Sequence, residues 1–230
     1  MRLRRFRGHQ LRFRQQKAWF SPPAFVASLP VRLSRMFGPM PPATRAILIA
    51  NILIFLLQQV AFNLMDVYFA LWPLGQYFEP WQVVTYAFLH ANLMHIFFNM
   101  LALVMFGGSL EQFLGSKRYL IYYFACVLAA AGTQLAVQAA TGSMEETLGA
   151  SGGIFGLLLA FAIFFPKARI LVYFAIPMPA WLFVGIYGLV ELFMGVAGKQ
   201  DSVAHFAHLG GMLGGAILLL YWRSVGTLRY

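Results

Sequence analysis

The sequence predicts an all-α polytopic membrane protein, a bundle of six transmembrane helices with cytoplasmic N- and C-termini. Composition, the spacing of apolar stretches and the distribution of basic residues support this prediction. Of the 230 residues, 60% are hydrophobic and only 10% are charged, whereas soluble domains carry about 25% charged residues. This composition excludes an ordinary soluble globular protein, and it excludes a disordered chain, which is poor in apolar residues.

Six apolar stretches indicate where the chain crosses the bilayer. A spanning helix needs about 20 mostly apolar residues, and the stretches are 46–65, 93–110, 119–141, 151–165, 178–195 and 203–222. Charged residues, glycine or proline separate them. Because an open sheet leaves backbone groups unpaired in lipid, we predict that every span is helical.

The basic residues predict the orientation. With six spans and the N-terminus inside, the cytoplasmic segments hold 16 of the 17 Lys and Arg residues, and the outer loops hold only Lys199. Cytoplasmic loops are enriched in Lys and Arg, so both termini are predicted to be cytoplasmic. We divide the chain into a basic N-terminal tail (1–43), a membrane domain (44–222) and a short C-terminal tail (223–230).

The basic tail contains no acidic residue, and its arginines alternate with apolar residues. This pattern indicates a segment held near anionic lipid head groups, rather than a nucleic-acid-binding arm. A basic, acid-free N-terminus is also typical of a mitochondrial transit peptide. We predict that the protein resides in the bacterial inner membrane. The mitochondrial inner membrane is the alternative that this tail leaves open.

Few polar side chains fall inside the predicted spans, and such residues are functional candidates because lipid disfavours them. They are His95, Asn99, Gln134, Gln138, Ser151, His205 and His208, with Glu111 and Glu191 at span ends. Spans two, four and six run in the same direction, which places Ser151, His95 and His208 towards the outer leaflet. The helical rise and the bilayer thickness predict that Ser151 lies about 8 Å below the outer membrane surface and that His208 lies about 10 Å down the sixth helix.

Glycines indicate that the helices bearing Ser151 and His208 pack closely. Small-xxx-small pairs, which let two backbones approach, follow both residues as Gly152–Gly156 and Gly211–Gly215. Close packing would let an imidazole take the serine proton and activate the hydroxyl as a nucleophile. We see no acidic residue placed to complete a triad, so the sequence predicts a Ser–His dyad.

For the other polar residues, a purely structural role has to be weighed against a functional one. His95 and Asn99 lie on one helix face, where they could stabilise an oxyanion or merely cross-link helices. His205 is the competing base, one turn before His208. We interpret Glu111 as a helix-end bonding group, Gln134 and Gln138 as hydrogen-bonding a neighbouring helix, and His90 as loop packing. The single cysteine, Cys126, excludes an intramolecular disulfide and is read as inert filler.

Three motifs in this order resemble the rhomboid intramembrane serine proteases: His95-xxx-Asn99, Gly149-Ala150-Ser151-Gly152 and Ala207-His208-Leu209-Gly210-Gly211. The segments 79–85 and 107–111 are similar to the family's first loop and the end of its second helix. The resemblance covers about residues 44–222. It departs from the family at Gln82, where many members carry arginine, and at Phe155, where some carry tyrosine.

The resemblance implies a serine endopeptidase that cleaves membrane-anchored proteins within or next to their transmembrane segment. Ser151 would be the nucleophile and His208 the general base, while His95, Asn99 and the Ser151 backbone N–H would stabilise the oxyanion. No metal and no cofactor are implied. The partners would be transmembrane-helix substrates and the lipid bilayer, with no nucleic acid, and the oligomeric state is open.

Three other functions compete with this interpretation. A soluble esterase fits the G-x-S-x-G pattern at 149–153 but needs a strand before the serine, which this composition excludes. A non-catalytic rhomboid-like scaffold would lack the serine or the histidine. A proton transporter would need carboxylates near the midplane. A gate for water and substrate is expected in the fifth span, with Trp181 and Phe183, or in the loop 199–202.

Overall fold

The computed structural model describes residues 40–172, 175–197 and 204–228, which form a bundle of helices. The helices are α1 (Pro42–Phe69), α2 (Gln82–Thr85), α3 (Leu93–Ala102), α4 (Gly108–Leu114), α5 (Ser116–Thr141), α6 (Ser151–Phe164), α7 (Ala180–Ala197) and α8 (His205–Ser224). A 3₁₀ turn (Tyr86–Phe88) follows α2, and a π-helical segment (Leu103–Gly107) joins α3 to α4. Most of the predicted basic tail, residues 1–39, lies outside the described residues.

Five helical segments in the described part of the chain are long and apolar enough to cross a membrane. They are Pro42–Ala61, Leu93–Leu114, Ser116–Thr141, Ala180–Ala197 and His205–Ser224. The sixth apolar helix, α6, has 14 residues, or about 21 Å at the α-helical rise. The predicted polytopic helical bundle is confirmed, whereas the sixth span and the orientation of the termini remain predictions.

One element was not predicted, an antiparallel hairpin between α6 and α7. It pairs β1 (Arg169–Val172) with β2 (Ile176–Pro179). The hairpin lies between the predicted fourth and fifth spans, and only its last two residues fall within the predicted start of the fifth span at 178. Lys167 and Arg169 in this segment are exposed. Because the segment is charged and lies between two apolar helices, water can satisfy the free backbone groups at the edges of the hairpin.

The N-terminus of α1 is held by a carboxylate from α4. The backbone N–H groups of Ala43 and Thr44 donate to the two Glu111 carboxylate oxygens at 2.9 and 2.7 Å, and the Ser116 hydroxyl donates to Oε1 at 2.6 Å. The first N–H groups of a helix have no partner within it, and α1 has no side-chain cap of its own. Glu111 supplies that cap, which confirms its interpretation as a helix-end bonding group.

Glycines let α8 pack closely against α6, as the sequence predicts, and also against α5. A Cβ atom added to Gly211 would overlap the carbonyl oxygen of Gly152, and one added to Gly210 would lie 2.6 Å from Thr133 Cβ. A Cβ atom on Gly156 would lie 2.6 Å from Cys126 Cβ, so the buried cysteine fills space beside this contact. These contacts fix the start of α6 against the start of α8.

Backbone hydrogen bonds hold the loop that leads into α6. Leu71 and Thr147 exchange two N–H···O bonds of 2.9 Å, and the Gly149 N–H donates to the Tyr86 carbonyl at 2.9 Å. Gln138 Nε2 donates to the Glu145 carbonyl at 2.7 Å. Gln138 therefore bonds this loop and not a neighbouring helix, which corrects the sequence interpretation. The first residue of α6 enters the bundle from an anchored loop.

The first loop is held by the residue that departs from the family pattern. Gln82 is fully buried, and its Oε1 accepts from the Trp72 N–H at 3.2 Å while its Nε2 donates to the Tyr77 carbonyl at 3.0 Å. A neutral amide can both accept and donate. Gln82 thus ties two points of the loop together without a charge.

His90 should make the folded protein sensitive to acid. It is 1% exposed, and burial, followed by the nearby His95, lowers the pKa of His90 from its usual 6.5 to about 3. Between these two values the unfolded chain binds a proton that the folded chain does not. The stability that His90 contributes is thus complete above about pH 6.5 and is lost progressively as the pH falls towards about 3.

We expect the thermal midpoint of the detergent-solubilised protein to fall less between about pH 7.5 and about pH 5 in His90→Leu than in the wild type. The single substitution removes this one titration and leaves the other histidines in place. An equal fall in both proteins would contradict the assignment of acid sensitivity to His90.

Candidate active site

Three helices begin close together and present the predicted site residues at their first turns. Ser151 is the first residue of α6, His208 the fourth of α8 and His95 the third of α3. Gly149, just before α6, has a φ of +130°, and a Cβ atom there would lie 2.8 Å from His95 Nε2 and 3.7 Å from Ser151 Oγ. Glycine is therefore required at 149 both for its backbone angle and for the space that His95 occupies.

The serine and the histidine meet at hydrogen-bond distance. Ser151 Oγ lies 2.8 Å from His208 Nε2. His208 is nearly buried, with 9% of its surface exposed. A hydroxyl that donates to a neutral imidazole is the arrangement that activates a serine nucleophile. His205, the competing base, bonds a different group through its Nδ1.

An aromatic ring fixes the plane of the His208 imidazole. The Phe155 ring stacks on it with centroids 4.2 Å apart and planes 6° apart. On its other side Phe155 stacks on Tyr187 of α7, with centroids 5.2 Å apart. A ring at position 155 thus packs directly beside the imidazole, although it is a phenylalanine and not the tyrosine of some family members. Since phenylalanine has no hydroxyl, this contact orients His208 by packing alone.

The prediction that no acidic residue accompanies Ser151 and His208 is wrong. Glu191 Oε2 accepts from His208 Nδ1 at 2.9 Å and from His205 Nδ1 at 2.7 Å. Glu191 lies near the end of α7, and the two histidines lie in the first turn of α8. The two consecutive helices pack so that the end of one lies beside the start of the next, a pairing that the separate spans did not reveal.

Within the described part of the chain, Glu191 and its two histidine partners also form a group that could hold a metal ion. The donor atoms of Glu191, His205 and His208 lie within 4.8 Å of one another, and two histidines with a glutamate are a donor set that zinc accepts. The hydrogen bonds already partner these atoms, so the geometry does not require a metal. The metal-free site stays a prediction.

The two predicted oxyanion residues lie on α3. Asn99 is 7% exposed, and its Nδ2 has no hydrogen-bond partner among the described residues. The backbone N–H of His95 donates to the side chain of Asn92, the N-cap of α3, at 2.9 Å. A buried amide donor without a partner is costly, and a ligand oxygen at this site would satisfy it.

Comparison with known proteins decides the family. A profile of the Rhomboid domain matches residues 77–224, which is more than half of the chain. This chain belongs to the rhomboid family. The matched region of the rhomboid contains Ser151, His208, His95, Asn99 and Glu191.

Two relatives show the range of this rhomboid's similarity. It is 34% identical over 138 residues to "Rhomboid protein 1, mitochondrial" of Saccharomyces cerevisiae. That alignment covers 59% of this chain and 40% of the relative. It is 29% identical over 206 residues to "Rhomboid protease GlpG" of Photorhabdus laumondii, covering 82% of this chain and 63% of the relative. The rhomboid thus spans less than two thirds of the length of these relatives. It is an integral multi-pass membrane protein.

Proposed function

We propose that this rhomboid is an intramembrane serine endopeptidase that cleaves membrane-anchored proteins within or next to their transmembrane segment. The observation that carries the proposal is the 2.8 Å distance between Ser151 Oγ and His208 Nε2. The name of the bacterial relative, a rhomboid protease, supports the same activity. The reaction uses no metal and no cofactor.

The proposed reaction proceeds through an acyl-enzyme. His208 Nε2 takes the proton as Ser151 Oγ bonds to the substrate carbonyl carbon, and the carbonyl electron pair moves to its oxygen. When the oxyanion collapses, the C–N bond breaks and the amine leaves with the proton from Nε2. Water then attacks the ester carbon in the same way, releasing the acid and restoring the Ser151 hydroxyl.

We assign the stabilisation of the oxyanion to His95, Asn99 and the backbone N–H of Ser151. Ser151 begins α6, and the first N–H groups of a helix have no partner within it. The unpartnered Nδ2 of Asn99 is a preformed donor that needs no rearrangement during the reaction. Both features support this assignment.

The proposed partners follow from the activity and from the membrane domain. Substrates would be proteins with a transmembrane helix, presented in the lipid bilayer, and we assign no role to nucleic acid. We place the rhomboid in the bacterial inner membrane, because the bacterial relative covers the larger share of both chains. The mitochondrial inner membrane is the alternative, which the yeast relative favours.

Cleavage by purified protein tests the proposal. The rhomboid is reconstituted in liposomes with a labelled single-span substrate, and its fragments are compared with those from Ser151→Ala. We expect fragments from the wild type and none above background from Ser151→Ala. Fragments from the variant, or intact substrate with both proteins across a panel of single-span substrates, would refute the assignment.

Removing the Asn99 amide should slow the reaction without disrupting the fold. We expect Asn99→Ala to lower kcat about 10²-fold, because one oxyanion donor is lost. Asn92→Ala, which removes the N-cap of the same helix, is the matched control and should act mainly on stability. An unchanged kcat in Asn99→Ala would remove this residue from the oxyanion site.

A further inference from the structure

A single carboxylate oxygen joins two histidines beside the proposed nucleophile. Glu191 Oε2 lies 2.9 Å from His208 Nδ1 and 2.7 Å from His205 Nδ1. The opposite nitrogen of His208 faces Ser151 Oγ. The four side chains therefore form one continuous chain of hydrogen bonds from His205 to Ser151.

This group is shielded from solvent, unlike an ordinary surface ion pair. The exposed fraction of the side chain is 7% for Glu191, 8% for His205 and 11% for His208. Hydrogen bonds to an ionised carboxylate are stronger than neutral ones, and low surrounding polarity strengthens them further. Glu191 stands out on α7, whose other buried residues are Ala180 and Val184.

We propose that Glu191 is a positioning residue for His208, and that His205 holds the Glu191 carboxylate in place. The inference rests on the proposed function. An ionised carboxylate only accepts hydrogen bonds, so His208 must carry its proton on Nδ1. The Nε2 lone pair then faces Ser151, which is the tautomer that can take the serine proton.

Glu191 also stabilises the charge that develops on His208. When Nε2 takes the proton from Ser151, the imidazole becomes a cation whose Nδ1–H already donates to the carboxylate. The proton stays on His208, and Glu191 remains ionised throughout. The carboxylate thus stabilises the transition state more than the ground state, which raises kcat rather than lowering KM.

The position of Glu191 makes the arrangement depend on helix packing. Glu191 belongs to α7, whereas both histidines belong to α8. α7 has the smallest buried share, 17%, among the five candidate spans. Its contact with α8 near this point includes Gly195, where a Cβ atom would lie 3.2 Å from the Phe206 ring. His208 is therefore fully oriented only while α7 lies against α8.

Kinetics of the full-length rhomboid in liposomes test this role. Glu191→Gln can donate its amide to Nδ1 and so favour the wrong tautomer. We expect it to lower kcat about 10²- to 10⁴-fold, with KM changed less than about threefold. Glu191→Asp keeps the charge and should recover at least about tenfold of the Gln loss. Glu146→Gln, at an exposed acid, is the matched control and should leave both constants unchanged.

His205 supplies the second arm of the test. His205→Asn should lower kcat less than about tenfold, and the double variant with Glu191→Gln should be no slower than Glu191→Gln alone, because both act through one carboxylate. If Glu191→Gln does not fold, Glu191→Asp is compared with His205→Asn instead. Losses in kcat that simply add in the double variant of these two would overturn the inference.

A wild-type kcat in folded Glu191→Gln, or a loss that Glu191→Asp does not recover, would overturn the positioning role alone. The proposed function would fail separately, through a wild type whose cleavage does not depend on Ser151.

Discussion

Replacing His208 with alanine is expected to lower kcat about 10⁴-fold or more. The variant loses the only base within hydrogen-bond distance of Ser151 Oγ among the described residues, and an unassisted serine hydroxyl is a weak nucleophile at neutral pH. Cleavage of the labelled single-span substrate in liposomes measures the effect. The thermal midpoint of each variant shows that the protein measured is folded.

The neighbouring histidine provides the matched control for this prediction. His205 lies one turn away on the same helix and bonds the same carboxylate, but its Nδ1 contacts Glu191 and not the serine. His205→Ala should therefore keep far more activity than His208→Ala. Equal losses in the two variants would mean that His208 has no special relation to Ser151.

The second large effect is expected on stability, at the contact between α6 and α8. Even the first side-chain carbon at Gly211 would overlap the carbonyl oxygen of Gly152, and backbone cannot move aside as a flexible side chain can. We expect Gly211→Val to lower the free energy of unfolding by about 3 kcal/mol or more. Unfolding in mixed detergent micelles, followed by circular dichroism, measures this change.

Gly185 supplies the control for the same substitution. It lies on α7, and a Cβ atom there would have nothing within 4 Å. Gly185→Val should change the free energy of unfolding by less than about 1 kcal/mol. If both valine variants were equally stable, the close approach of α6 and α8 would not hold the site together.

Much of this fold follows from local sequence signals. The apolar stretches predict the helices because a membrane leaves the chain few other ways to satisfy its backbone. The glycines at 152, 156 and 211 predict the α6–α8 contact because they permit backbones to approach. Since Ser151 and His208 lie beside these glycines at the starts of their helices, their meeting could be predicted as well.

The role of Glu191 could not be predicted in the same way. The sequence places it near the end of one span and places the histidines at the start of the next, which shows proximity along the membrane normal only. Whether Glu191 faces α8 or lipid depends on how α7 is rotated about its axis. The strongly apolar surface of α7 does not fix that rotation from the sequence, because lipid and protein interior select similar residues.

The polar contacts of the loops escaped prediction for a related reason. Gln138 bonds the carbonyl of Glu145, a partner that depends on the path of a turn rather than on helix periodicity. Gln82 likewise bonds two backbone groups of the first loop. Backbone partners carry no sequence signature of their own.

The most direct test of the account is the site of covalent modification by a fluorophosphonate. Its phosphorus is attacked by an activated serine oxygen, fluoride leaves, and the serine proton passes to the base. Peptide mass spectrometry of the labelled protein should find the adduct on Ser151 in the wild type, and no adduct there in His208→Ala. Labelling of Ser151 that persists without His208, or an adduct on another residue that persists in Ser151→Ala, would contradict the claim that His208 activates Ser151.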